Sequence, residues 1–204
     1  MKKLTKAFYH RPTLEVSKDL LGKFLVHQIG VDRYVGKIVE VEAYIGEIDK
    51  ACHAYNNKVT NRTKVLYDPP GTAYVYLIYG MYYCFNVVTE EAGKAAAVLI
   101  RAVEPIEGLE KMVENRYKKK INEITKKQLI NLTNGPGKLC MAMNITKNNN
   151  GMDLFNDELY IIEDKETSSF DTMTTTRINI DYAEEAIDFP WRFYIKDSSY
   201  VSKK

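Results

Sequence analysis

The chain has 204 residues, 45% hydrophobic and 27% charged, ordinary proportions for one globular domain with a real core. Its longest apolar run, Ala95–Ile100, is far too short to cross a bilayer, no apolar stretch follows the basic start Met1–Lys6, and three cysteines (Cys52, Cys84, Cys140) neither build a disulfide framework nor match a zinc spacing. The net charge of +2 is uneven, with 23 Lys/Arg against 15 Asp/Glu in residues 1–150 and two against 11 in residues 151–190. A cytosolic, reduced protein is expected, without membrane, metal or cofactor. Its basic part is either a solvated lysine-rich surface with an acidic flank or a surface for a polyanion, whose phosphates it would neutralise.

In chain order, Pro12–Leu21 predicts a helix, with Pro12 near its first turn and Gly22 as its stop. Strands are predicted at Lys23–Gln28 and Tyr34–Tyr44, joined near Gly30. In the second, Val39, Val41 and Ala43 alternate with Glu40, Glu42 and Tyr44, which puts Glu42 and Tyr44 on one face. Gly46–Arg62 is too polar for core and too long for a simple turn, the profile of a functional loop. Thr72–Tyr79 and Tyr82–Val88 predict a hairpin turning at Gly80-Met81, with glycine first as a type II′ turn prefers. Another strand is predicted at Ala95–Val103, followed at Pro105 by a helix with Ile106, Leu109, Met112 and Val113 as its apolar stripe. Thr133–Lys138 opens a further helix to about Met143, and short strands among acidic turns end in Arg192–Ile195. With no internal repeat or linker, residues 1–204 form one α+β domain built on a central, curved, partly barrel-like antiparallel sheet flanked by helices.

Several residues stand out chemically. Six of the 15 tyrosines lie between Tyr67 and Tyr83, and Tyr79 sits beside a turn, where a large ring has little to pack on but can stack on or wedge between bases. Glu42 ends a mostly apolar strand and, if partly desolvated, suits a general base for water; otherwise it shares a solvated face with Glu40. His53 next to Cys52 suits a ligand hydrogen bond or a structural role better than a metal. Arg101 in an apolar strand needs a carboxylate, a phosphate or a nucleotide as partner. Asn134-Gly135-Pro136-Gly137-Lys138 offers backbone amides and a lysine as a phosphate seat. These features fit a catalytic protein on nucleic acid, or a binding module that has no use for Glu42.

One family gathers them. Val39–Tyr44, Ala51-Cys52-His53, Pro70–Tyr82, Leu99–Pro105, Gly135–Cys140 and Arg192-Phe193-Tyr194 together resemble the alkyladenine (3-methyladenine, methylpurine) DNA glycosylases shared by mammals and many bacteria. The resemblance spans nearly the whole chain. It differs from the mammalian form in lacking a long N-terminal extension, in a longer Asn86–Arg101 segment and in the Asn56–Lys64 loop. It implies a monomeric enzyme, nucleoid-associated in a bacterium, that binds double-stranded DNA containing damaged purines, flips the purine out and hydrolyses its glycosidic bond without a strand-nicking lysine. It implies that Glu42 activates the water, with Arg101 and the main-chain carbonyl of Ile180 helping to hold it. Tyr44 and His53 would lie on one face of the flipped base and Tyr76 on the other, with Asn86 at the pocket floor. Tyr79 would fill the vacated stack, Leu66 would probe the opposite strand, and Arg62, Lys138 and the Gly135–Gly137 amides would meet phosphates.

Overall fold

The computed structural model describes residues 2–163 and 169–204. Its strands are β1 (Lys2–Lys3), β2 (Phe24–Ile29), β3 (Asp32–Ile45), β4 (Ala73–Ile78), β5 (Tyr82–Val88), β6 (Ala96–Glu107), β7 (Leu159–Glu163), β8 (Thr172–Thr175) and β9 (Arg192–Ile195). They form one antiparallel sheet in the order β1-β7-β2-β3-β6-β5-β4. β3 is long enough to hold β2 along Asp32–Lys37 and β9 along Glu40–Glu42, while β6 runs along its other edge. Among the described residues the path has two ends, so the expected antiparallel sheet is open rather than closed, and it branches at β3.

Alternation along the strands decides what each face does. Val41, Val75, Phe85, Val87, Val98 and Ile100 point into the main core with Val16, Leu20, Met112, Val113, Leu139 and Ala142 from the helices. Their neighbours Glu42, Tyr44, Tyr74, Tyr76, Cys84, Asn86, Ala97 and Leu99 therefore share the other face. Helices α1 (Lys6–Tyr9), α2 (Thr13–Leu20), α3 (Leu109–Tyr117), α4 (Lys126–Ile130) and α5 (Pro136–Ala142) complete the fold. Among the described residues, no helix is long and apolar enough to cross a membrane.

Three local expectations are corrected. β6 runs through Pro105 and Ile106 to Glu107, so Ile106 is an exposed strand residue rather than the start of a helical stripe. Pro105 is tolerated because the ladder is irregular there, with a register shift opposite Val35/Gly36. The hairpin turns on Tyr79-Gly80, not Gly80-Met81: both carry positive φ (53° and 70°), the Met81 amide donates to the Ile78 carbonyl, and this is the type I′ signature. In the lysine-rich stretch, read from sequence only as a connection, Thr125 and Gln128 exchange hydrogen bonds as a capping box and start α4.

Candidate active site

Four strands bring the candidate residues into one row. Glu42 on β3 pairs with Leu99 on β6, Leu99 with Asn86 on β5, and Asn86 with Tyr74 on β4. Directly opposed residues in a sheet project to the same side, so an acid, an amide and a tyrosine share one face. Tyr44 on β3 and Tyr76 on β4 flank a strip of short side chains, including Ala97, Cys84 and Asn86. A cavity of about 220 Å³ opens there, lined also by Leu99, Arg101 and Tyr79. A cavity of roughly 150 Å³ holds a benzene ring; this one is on the scale of a bicyclic base.

Glu42 is fully buried, which excludes the solvated-face alternative. Its Oε1 accepts from the Ile178 amide (2.8 Å) and its Oε2 from the Tyr44 hydroxyl (2.7 Å), with Arg101 Nη1 3.2 Å from Oε2. A carboxylate has about four acceptor positions. Among the described residues hydrogen bonds take two, one on each oxygen; the Arg101 charge stands on the Oε2 side, and the second position on Oε1 is open. Burial, then the adjoining Glu42 charge, raises the Tyr44 pKa well above the usual tyrosine value, so Tyr44 stays a donor at neutral pH.

Arg101 finds carboxylates, as its apolar strand required. Glu40 pairs with Ala102 and Val41 with Ile100, which makes Arg101 the extra residue of a β-bulge. A bulge re-aims a side chain, and here Arg101 reaches both Glu40 and Glu42. Burial works against its charge, but the two carboxylates outweigh burial and raise its pKa.

His53 lies on a different wall from the one the resemblance implies. Its ring meets Tyr76 edge-on, with centroids 4.6 Å apart and planes at 80°, so His53 and Tyr76 form one wall and Tyr44 the other. No base fits between two rings that already touch. Arg62 Nη2 approaches His53 Nε2 at 3.2 Å, and because a guanidinium only donates, Nε2 accepts and Nδ1–H donates to the Tyr74 hydroxyl at 3.1 Å. Burial and then Arg62 push the His53 pKa down to about 4, so the ring is neutral at pH 7. The exposed Arg62 also lies 4.8 Å from the Tyr76 ring centroid.

Asn86 is buried on the floor and donates to the Tyr74 carbonyl (3.0 Å). Ile180 lines the cavity, and its carbonyl accepts from the Ala183 amide (2.9 Å) with its second lone pair left; the backbone group that meets Glu42 is Ile178 N–H. Leu66 is 3% exposed and packs with Val65 and Tyr74, so it is a side wall and cannot protrude toward an opposite strand. Tyr79 is 73% exposed at the hairpin tip, in a left-handed conformation that a tyrosine adopts only under strain.

Lys138 Nζ reaches the Asn134 and Asn131 side-chain oxygens (2.7 and 3.3 Å), and burial followed by Arg116 lowers its pKa. Gly135 is buried at the start of α5, and Gly137 lets that end approach β5: a Cβ there would lie 2.9 Å from Tyr82 Cβ.

Sequence reasoning passed over Tyr74, Ile178, Arg177 and the tail. Arg177 is sealed behind the site, with both terminal nitrogens on Asp49 and its guanidinium 4.7 Å from the Tyr44 ring centroid. It does not line the cavity, so it supports Tyr44 from the far side. An isolated arginine in an acidic stretch, the only positive charge between Lys165 and Arg192, was the available signal.

Comparison with known proteins follows the same lines. In Alkaliphilus oremlandii a protein named "Putative 3-methyladenine DNA glycosylase" is 65% identical over 202 residues, 99% of this chain and 100% of its own. Proteins of that name in Clostridium tetani (57% over 202 residues, 99% of this chain and 100% of theirs) and Desulfitobacterium hafniense (53% over 204 residues, 100% of both) are similar along their full lengths. A model of the methylpurine-DNA glycosylase family matches residues 7–199, and the chain belongs to that family.

Proposed function

We propose that the protein excises alkylated or deaminated purines, among them 3-methyladenine, 7-methylguanine, hypoxanthine and etheno-adenine, from duplex DNA. A water activated by Glu42 attacks the glycosidic carbon and leaves an abasic site. The observation that carries this reading is the buried Glu42, held by two hydrogen-bond donors and the Arg101 charge, beside a base-sized cavity with aromatic walls.

Within a duplex the glycosidic carbon is shielded, so the nucleotide must leave the stack, at a cost of a few kcal/mol. Tyr79, exposed and lining the cavity, fills the gap. The purine enters between Tyr44 and the Tyr76–His53 wall. A cationic lesion gains from aromatic faces, while a neutral one relies on shape and on hydrogen bonds to Asn86 or nearby backbone. As the bond breaks, the sugar becomes oxocarbenium-like; the Glu42 carboxylate opposes that charge and takes a proton from the water. Arg62 and Lys138 engage phosphates around the flipped nucleotide.

The test is base release from hypoxanthine- and 3-methyladenine-containing duplexes. Glu42→Gln should lower single-turnover excision by about 10²–10⁴-fold, the usual contribution of a general base, with lesion binding largely retained. Native activity should survive EDTA, and borohydride should trap no covalent adduct, since catalysis rests on Glu42 rather than a metal or a lysine. Lesion binding without base release would make the protein a binding module, and a trapped adduct would overturn the monofunctional mechanism.

A further inference from the structure

Glu40 is as deeply buried as Glu42 and lies two residues away on the same strand. It collects a dense set of donors. Arg101 Nε (3.1 Å), Arg192 Nε (2.7 Å) and Ser202 Oγ (2.8 Å) converge on Oε1, and the Ser202 amide reaches Oε2 (2.6 Å). Burying a carboxylate among two arginines is costly unless the charges are paired, and here both arginines donate to Glu40. Arg192 also donates through Nη2 to the Lys203 carbonyl.

The orientation of Arg101 gives the cluster a purpose. Its Nε and Nη2 edge faces Glu40 and Ser202 Oγ (3.1 and 3.3 Å), while Nη1 points the other way, to Glu42 Oε2 (3.2 Å). A guanidinium is a rigid planar fork, so fixing one edge fixes the direction of the remaining nitrogen. Arg101 sits in a bulge, where regular strand pairing does not dictate its direction. Without Glu40, only the longer contact with Ser202 Oγ (3.3 Å) holds Arg101 back from turning onto Glu42 and taking the acceptor position left for water.

We propose that Glu40 is a positioning residue for the reaction. It splits Arg101 between two carboxylates so that Glu42 keeps its Oε1 open to water, and the C-terminal segment Val201–Lys203 locks Glu40 in place through Ser202. The proposal rests on the glycosylase reading and adds residues that never touch the purine: one carboxylate, Arg192 and the tail.

The experiment measures single-turnover release of hypoxanthine from a duplex, together with affinity for a duplex carrying a tetrahydrofuran abasic analogue. Glu40→Gln should excise at least tenfold more slowly with affinity unchanged within about threefold. Ser202→Ala, which removes one peripheral hydroxyl and spares the fold, should show a smaller loss of the same kind, and Ser202→Thr should restore most of it. In an Arg101→Lys background, Glu40→Gln should add little, because both act through one guanidinium. Native excision rates in both Glu40→Gln and Ser202→Ala would overturn the proposal, as would losses that multiply in the double variant. Should Glu40→Gln fail to fold, the serine pair decides alone. A native protein that releases no base sinks the glycosylase reading instead, and the two failures are distinguishable.

Discussion

Replacing Tyr79 by asparagine should make the protein more stable and a poorer glycosylase. Tyr79 is the first central residue of a turn with positive φ at both central positions, and a glycine already occupies the second. The left-handed conformation costs an ordinary residue about 1–2 kcal/mol, whereas Asn-Gly is the pair this turn prefers. The ring is 73% exposed, so little packing is lost with it. For a chain of this size each kcal/mol moves Tm by about 2–4 °C, giving an expected rise of roughly 2–8 °C. On DNA, under the proposed function, the same change removes the aromatic wedge. Stacking of a base on an aromatic side chain is worth about 1–3 kcal/mol, so excision from a duplex should fall by roughly one to two orders of magnitude. The loss should be largest for a lesion that still stacks well, such as etheno-adenine opposite thymine, and small in single strands, where little unstacking is needed. Calorimetry and single-turnover excision of one lesion in both contexts are the assays, with Tyr76→Ala impaired in both as the reference. A Tm that stays or falls would refute the strain, and equal losses in duplex and single strand would refute the wedge.

Other outcomes follow from the same geometry. Tyr44→Phe keeps the ring but removes the hydroxyl 2.7 Å from Glu42; a hydrogen bond to a charged group contributes about 1.5–3 kcal/mol, so single-turnover excision should drop roughly 10- to 150-fold with lesion affinity little changed. Lys138→Ala should flatten the slope of log K against log salt for undamaged duplex by about one, and an unchanged slope would move the phosphate seat elsewhere. His53, held down to about 4, takes up its proton in the unfolded chain near 6.5 but not in the fold. The unfolded state therefore binds more protons between those values, and stability should decline as pH falls from about 6.5 to 4. His53→Gln should remove that part of the decline in Tm, and an identical pH dependence would show that the ring is not held neutral.

Much of this protein was legible in the sequence because alternation is a local property. The order Val39-Glu40-Val41-Glu42-Ala43-Tyr44 fixes which side chains share a face wherever the strand pairs, and β3 runs beyond both. The helix at Thr13–Leu20 and the hairpin strands follow from patterning and turn residues in the same way. Pro105 misled because proline usually ends a strand, and only the partner strand's register shift makes room for it.

What the sequence by itself determined is the inventory: an acid on the same face as a tyrosine, an arginine in an apolar strand, a histidine in a polar loop and an aromatic beside a turn. Which of these meet was decided by pairings between residues distant in the chain. The ladder from β3 through β6 and β5 to β4 sets Glu42, Leu99, Asn86 and Tyr74 in one row. The bulge at Arg101 is a mismatch between two strands and is written in neither alone. Glu40 looks like a solvated partner of Glu42 until Arg192 and Ser202 arrive from the far end of the chain. Burial and partners set whether a carboxylate is surface, support or base, and both are properties of the assembled fold.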